Sequence, residues 1–134
     1  MARTLLLLVL AIAVLLELGL TGGAFFAPAA TLAQFGVVYG PATKFLAYLT
    51  GWFLLFVTLA AVLAWTWVRQ RQPGYVGLCY LLGSWWIGIG IGIFVVFGKP
   101  DNLLLDTLKG LLIVVLTWRC QPSDVGHPTP ALAA

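Results

Sequence analysis

Residues 45–68 read FLAYLTGWFLLFVTLAAVLAWTWV, and no position in this stretch carries a charge. A helix rises 1.5 Å per residue, so a hydrocarbon layer of ~30 Å is crossed by about 20 residues. Phe45–Val68 is therefore long enough for one crossing. Lys44 precedes it and Arg69 and Arg71 follow it, where a membrane surface would hold them. Residues 72–98 are also free of charge, and Tyr75–Phe97 makes a second such stretch. Pro73-Gly74 between the two is a turn signal.

Working outward, two more apolar runs stand on either side of this pair. The first extends from about Thr4 to Phe26 and is interrupted only by Glu17. The other extends from about Asn102 to Trp118 and contains Asp106 and Lys109. Both are dense in Leu, Ile and Val. The expectation is an all-α membrane protein, a four-helix transmembrane bundle in one domain over residues 1–119. Its spans fall at about 4–26, 45–68, 75–97 and 102–118. Residues 120–134, rich in Pro, Gly, Ala and Ser, are expected to form a disordered cytoplasmic tail.

Composition supports the same class. Of the 134 residues, 62% are hydrophobic and only 8% charged, with a mean hydropathy of +1.06. A typical soluble domain is about 25% charged. Too few charges remain here to cover a water-facing surface, which excludes a soluble globular domain, a disordered chain and a nucleic-acid module. The net charge of +3 has a simple source in basic residues gathered beside cytoplasmic membrane ends.

A competing reading makes Arg3 and Leu5–Leu16 the n- and h-regions of a signal peptide, with Ala27-Pro28-Ala29 as the cleavage site. Cleavage would leave three spans. Apolar character continues past Glu17 through Leu18, Leu20, Phe25 and Phe26, which favours retention as a helix. The connection APAATLAQFGVVYGPATK (27–44) is broken by Pro28, Gly36, Gly40 and Pro41, yet it is too apolar for a free loop. It is expected to lie against the headgroups or to cap the bundle.

Four spans put both termini on one side. Arg3, Arg69, Arg71 and Arg119 fall there, against Lys44 and Lys99 on the other, so both termini are expected to be cytoplasmic in a cell inner (plasma) membrane. Cys79 and Cys120 fall near that face and are expected as free thiols in a reducing compartment. His127, the single histidine, stands in the tail segment GHPTP without neighbouring ligands, so no metal site is expected. No haem or nucleotide motif is present, and no cofactor is expected. The GIGIGIG run of the third span lacks the context of a phosphate-binding loop.

Glu17, Asp106 and Lys109 are the most informative residues. An ionisable group at the bilayer centre costs ~2.5–3.5 kcal/mol on insertion scales, so such groups usually face the bundle interior and pair. Counting along the helices puts Glu17 and Asp106 each about 20 Å from the inner ends of their spans. Lys109 shares a face with Asp106. All three can meet if the first and fourth helices are neighbours. The cluster then either fixes helix register or serves as an acid/base site.

In the third span, Ser84, Gly88 and Gly92 recur every four residues as a small-xxx-small ridge for close helix packing. Trp85 and Trp86 fall near midplane, away from the interfacial belt where tryptophans gather. Together with Trp52 they are candidates to line an apolar ligand pocket, the alternative being simple packing.

The overall layout resembles the DoxX-like superfamily of small bacterial four-helix membrane proteins. A first span ends in FFAP (25–28), the segment LAQFGV (32–37) follows, and the second span opens on YLTGW (48–52). The resemblance implies a four-helix bundle. Many members of that group have no assigned activity, and some are associated with quinone-linked sulfur oxidation. No residue role is carried over.

The expected role is accessory or structural, with two alternatives beside it. An accessory or structural subunit, or a self-assembling membrane protein, fits the short loops and the small-residue ridge. Its partners would be membrane lipid and other membrane subunits or further copies of the chain. An integral-membrane enzyme (cyclase, isomerase or epoxide-opening) would use Glu17 or Asp106 as general acid on a lipophilic substrate, with Lys109 tuning the pair. A quinone or other lipophile-binding protein is the second alternative. A transporter is disfavoured, because residues 4–68 and 72–119 show no internal repeat.

Overall fold

The computed structural model describes residues 1–121, and these are wholly helical apart from short connections. Five helices follow in order: α1 (Ala2–Phe26), α2 (Pro28–Ala33), α3 (Pro41–Gln70), α4 (Tyr75–Phe97) and α5 (Pro100–Cys120). Three of them, α1, α3 and α4, are long and apolar enough to cross a membrane, which marks the chain as a helical membrane protein. The segment expected as a fourth span is helical, as α5 with 21 residues, but it is not among these three. Asp101, Asp106, Lys109 and Arg119 distinguish it from the other three. The expected disordered tail, with His127, lies outside the described residues from position 122 onward, and Cys120 itself closes α5.

Local sequence explains the breaks. Pro28, Pro41 and Pro100 stand in the first turns of α2, α3 and α5, where a missing N–H leaves no helical bond unmade. Gly98 ends α4 in the left-handed region at φ 63°. Arg71 does the same for α3 at φ 58°, and the Gln72 N–H returns to the Trp67 carbonyl at 3.0 Å.

On α1 the buried positions Leu6, Leu10, Ala13, Glu17, Thr21 and Ala24 form one stripe at helical spacing. Leu8, Ile12 and Leu15 on the opposite face are exposed, the pattern of a helix with lipid on its outer side. Ala61 and Ala64 of α3 are fully buried and leave room for the leucines of α1. Helix α1 packs on both α3 and α5, and α4 packs on α5 along most of its length. In contrast, α3 and α4 touch only lightly. That asymmetry opens the groove described below.

The close approach of α4 to α5 corrects the expected packing ridge. A Cβ added at Gly110 would lie 2.5 Å from the Gly83 carbonyl oxygen, and one at Gly90 would lie 2.6 Å from Thr107 Oγ1. These three glycines let the backbones meet. Ser84, Gly88 and Gly92 instead face outward, and a Cβ at Gly88 or Gly92 would have nothing within 4 Å. The reason is angular. One residue along a helix turns the face by about 100°, so the ridge beginning at Ser84 points away from the one beginning at Gly83.

One end of the bundle is tied by long-range polar contacts. Arg3 Nε donates to the Val68 carbonyl at 3.1 Å, and Arg3 Nη2 donates to that of Arg69 at 2.6 Å. The Tyr75 hydroxyl donates to the Cys120 carbonyl at 2.9 Å. The start of α1, the α3–α4 turn and the end of α5 thus meet at one end. At the other end the 27–44 connection folds over the bundle, with Leu32 buried and Phe35 packed on Phe97 at 5.5 Å.

Candidate functional site

The three charged residues meet as their spacing suggested. Lys109 Nζ donates to Glu17 Oε1 at 2.9 Å and to Asp106 Oδ1 at 2.9 Å. The stripe on α1 turns Glu17 inward, where it is only 4% exposed. The separation of Asp106 and Lys109 by three residues puts both on the α1-facing side of α5. Asn102, one turn before Asp106, donates to Asp106 Oδ2 at 3.4 Å.

Trp86 completes the cluster. Its ring is fully buried, and its Nε1–H donates to the same Glu17 Oε1 at 2.8 Å. The ring face lies 4.5 Å from Lys109 Nζ, close enough for a cation–π contact. Helices α1, α4 and α5 are thereby joined through one carboxylate oxygen. Above it, Thr21 and Thr58 share a hydrogen bond at 3.2 Å that adds α3 to the connection. For a buried indole and a buried ammonium this is a satisfied arrangement, which is what an apolar surrounding demands.

The second Glu17 oxygen, Oε2, has no hydrogen-bond partner among the described residues. Glu17 lines a cavity of about 200 Å³ between α3 and α4. Phe53, Trp85, Trp86 and Ile89 form apolar and aromatic walls, and Gln34, Asn102 and Asp106 add polar groups. A neighbouring cavity of about 250 Å³, almost wholly apolar, shares Thr31, Phe35, Thr50 and Ile93 with the first. Together the two reach the ~300–1,000 Å³ range of small-molecule sites. On the far side of the cluster a third hollow between α1 and α5 is lined by Asp106 and Lys109 but not by Glu17. Among the described residues no group of His, Cys, Asp and Glu is arranged to hold a metal ion.

Two of the three candidate pocket tryptophans line the cavity. Trp85 forms part of its wall, packed on Phe53 at 5.1 Å and about one-third exposed. Trp52 does not. It is 65% exposed and meets Phe25 edge-on at 5.7 Å, because its position on α3 turns it away from α4. Phe53, one residue on, takes the inward place. Sequence reasoning missed Gln34, Phe53, Ile89 and Asn102. Of these only Asn102 carried a signal, as a polar residue four positions before Asp106. Cys79 is buried and Cys120 partly exposed, and both are free thiols.

Neither a family model, nor a curated protein, nor a solved structure matches this chain.

Proposed function

We propose that this protein is a four-helix transmembrane bundle of the inner membrane, with both termini cytoplasmic, that binds a lipophilic small molecule between α3 and α4. The reading extends the resemblance to DoxX-like proteins. The observation that carries it is the pairing of an apolar aromatic cavity with one unpartnered carboxylate oxygen, Glu17 Oε2. Such an oxygen accepts a hydrogen bond from a hydroxyl head while the cavity walls cover a flat apolar body. A quinol has that chemistry. The orientation rests on four arginines at the end that carries the N-terminus and the end of α5, against Lys44 and Lys99 at the other.

The test is titration of the purified protein with a short-chain quinol, read by quenching of Trp85 and Trp86 fluorescence. Saturable binding is expected. Ile89→Trp should abolish it by filling the cavity. Glu17→Gln should weaken it by about tenfold, because a hydrogen bond to a charged group contributes about 1.5–3 kcal/mol. Saturable binding that survives Ile89→Trp unchanged would refute the site. Turnover of a bound lipophile, lost in Glu17→Gln with folding intact, would make the same carboxylate a general acid or base.

A second reading is an accessory or self-assembling subunit. The outward Ser84, Gly88 and Gly92 face supports it, since small residues let helices approach closely in lipid. Native mass spectrometry separates the two: a fixed stoichiometry with other chains favours the second, and a monomer carrying one lipophile favours the first.

A further inference from the structure

A second cavity, of about 510 Å³, lies at the opposite end of the fold from the α2 cap. It is bounded by Arg3 of α1, Arg71 of the α3–α4 turn, Tyr75 and Val76 of α4 and Cys120 of α5. Four separate pieces of chain therefore converge on it. We infer that this cavity is a binding site for an anionic phosphate group, that of an acidic phospholipid headgroup or of a free phosphate.

Charge is the first argument. Arg3, Arg69, Arg71 and Arg119 gather at this end, while the acids among the described residues, Glu17, Asp101 and Asp106, all lie elsewhere in the chain. No salt bridge to any of these arginines exists among the described residues. Arginine is suited to phosphate because its planar fork matches the oxygens.

Preorganisation is the second. Arg3 is held by its two bonds to the Val68 and Arg69 carbonyls, which fixes the guanidinium at the cavity rim. Its Nη1 makes no hydrogen bond among the described residues and remains to meet a ligand. Arg71 occupies the left-handed region at φ 58°, a conformation that glycine or asparagine adopts more readily. As the C-terminal cap of α3 it stands at the turn that bounds the cavity, and its side chain lines it.

The third is the start of α4. Helix α4 has 23 residues and no side-chain cap. The Val76 and Gly77 amides have no backbone acceptor among the described residues. The positive end of a long helix thus adds to the two guanidinium groups at the cavity Val76 lines.

The experiment places the full chain in nanodiscs or mild detergent and measures lipid binding by native mass spectrometry. Phosphatidylglycerol and phosphatidylcholine are the probes. Wild type should retain phosphatidylglycerol preferentially at one site. Arg71→Asn, which suits the left-handed backbone, should lower that affinity about fivefold, since one basic side chain near a lipid surface contributes about 1 kcal/mol. Arg71→Lys keeps the charge without the planar fork and should recover only part of it. Arg119→Gln removes a charge from the same end without touching the cavity and should leave binding unchanged. Unfolding midpoints within a few degrees of wild type confirm that the variants fold. Equal loss in Arg71→Asn and Arg119→Gln would reduce the effect to a diffuse field and overturn the site, as would equal retention of both lipids and no binding of inorganic phosphate. Inorganic phosphate is the discriminating competitor: displacement of the lipid at millimolar phosphate, lost in Arg71→Asn, assigns the site to a soluble phosphate, and resistance assigns it to the headgroup.

Discussion

Replacing Lys109 by Met removes the one cation that holds two carboxylates together. Glu17 Oε1 and Asp106 Oδ1 each lie 2.9 Å from Lys109 Nζ, and Lys109 is only 9% exposed. Two oxygens that share one ammonium lie within about 6 Å of each other. Without the ammonium, two charges at that spacing repel by about 3 kcal/mol at an effective dielectric constant of ~20. The cation–π contact with Trp86 is lost as well, at about 1–2 kcal/mol. The methionine side chain offsets part of this by burying apolar surface. A net destabilisation of about 3–5 kcal/mol is expected, the usual cost of breaking a buried ion pair from one side. At about 4 °C per kcal/mol for a chain of this size, the unfolding midpoint should fall by on the order of 12–20 °C. Thermal unfolding in detergent, followed by tryptophan fluorescence, reads this directly. The double variant Glu17→Gln/Lys109→Met leaves a single carboxylate, which Asn102 still meets. It should recover a substantial part of the loss. The reasoning is refuted if Lys109→Met melts within about 4 °C of wild type, or if the double variant is less stable than the single one.

Glycine substitutions separate the two faces of α4. Gly110→Ala drives a Cβ to 2.5 Å from the Gly83 carbonyl oxygen and 2.9 Å from the Ile87 amide. It should cost at least about 1–3 kcal/mol, the range for overpacking. Gly88→Ala meets open space and should leave the monomer unchanged or stabilise it by up to about 1 kcal/mol through helix propensity. Comparable losses in both would contradict the α4–α5 interface. The cysteines report burial and topology together. A maleimide should label Cys120 well before Cys79, because Cys79 is fully buried. A membrane-impermeant maleimide should reach Cys120 in inverted vesicles and not in intact cells, and the reverse result would invert the proposed orientation.

Length and charge placement were enough to locate the four long helices, though not the short α2 in the 27–44 connection. Tyr75–Phe97 matches its uncharged window, and Glu17 on one apolar run and Asp106 with Lys109 on another could be paired by counting depth. Helical rise is nearly constant, so depth along an axis is legible in one dimension. Rotation about the axis was not. The choice of Phe53 over Trp52, and of Gly83 over Ser84, each turns on a single residue step, and only neighbouring helices decide which face is inward. Hydropathy is no guide there, because lipid and core are equally apolar and both faces of a span read alike. The looseness between α3 and α4 is a further property of the assembled packing. It leaves Glu17 lining a cavity, a consequence of how the helices share one interior that no segment carries by itself.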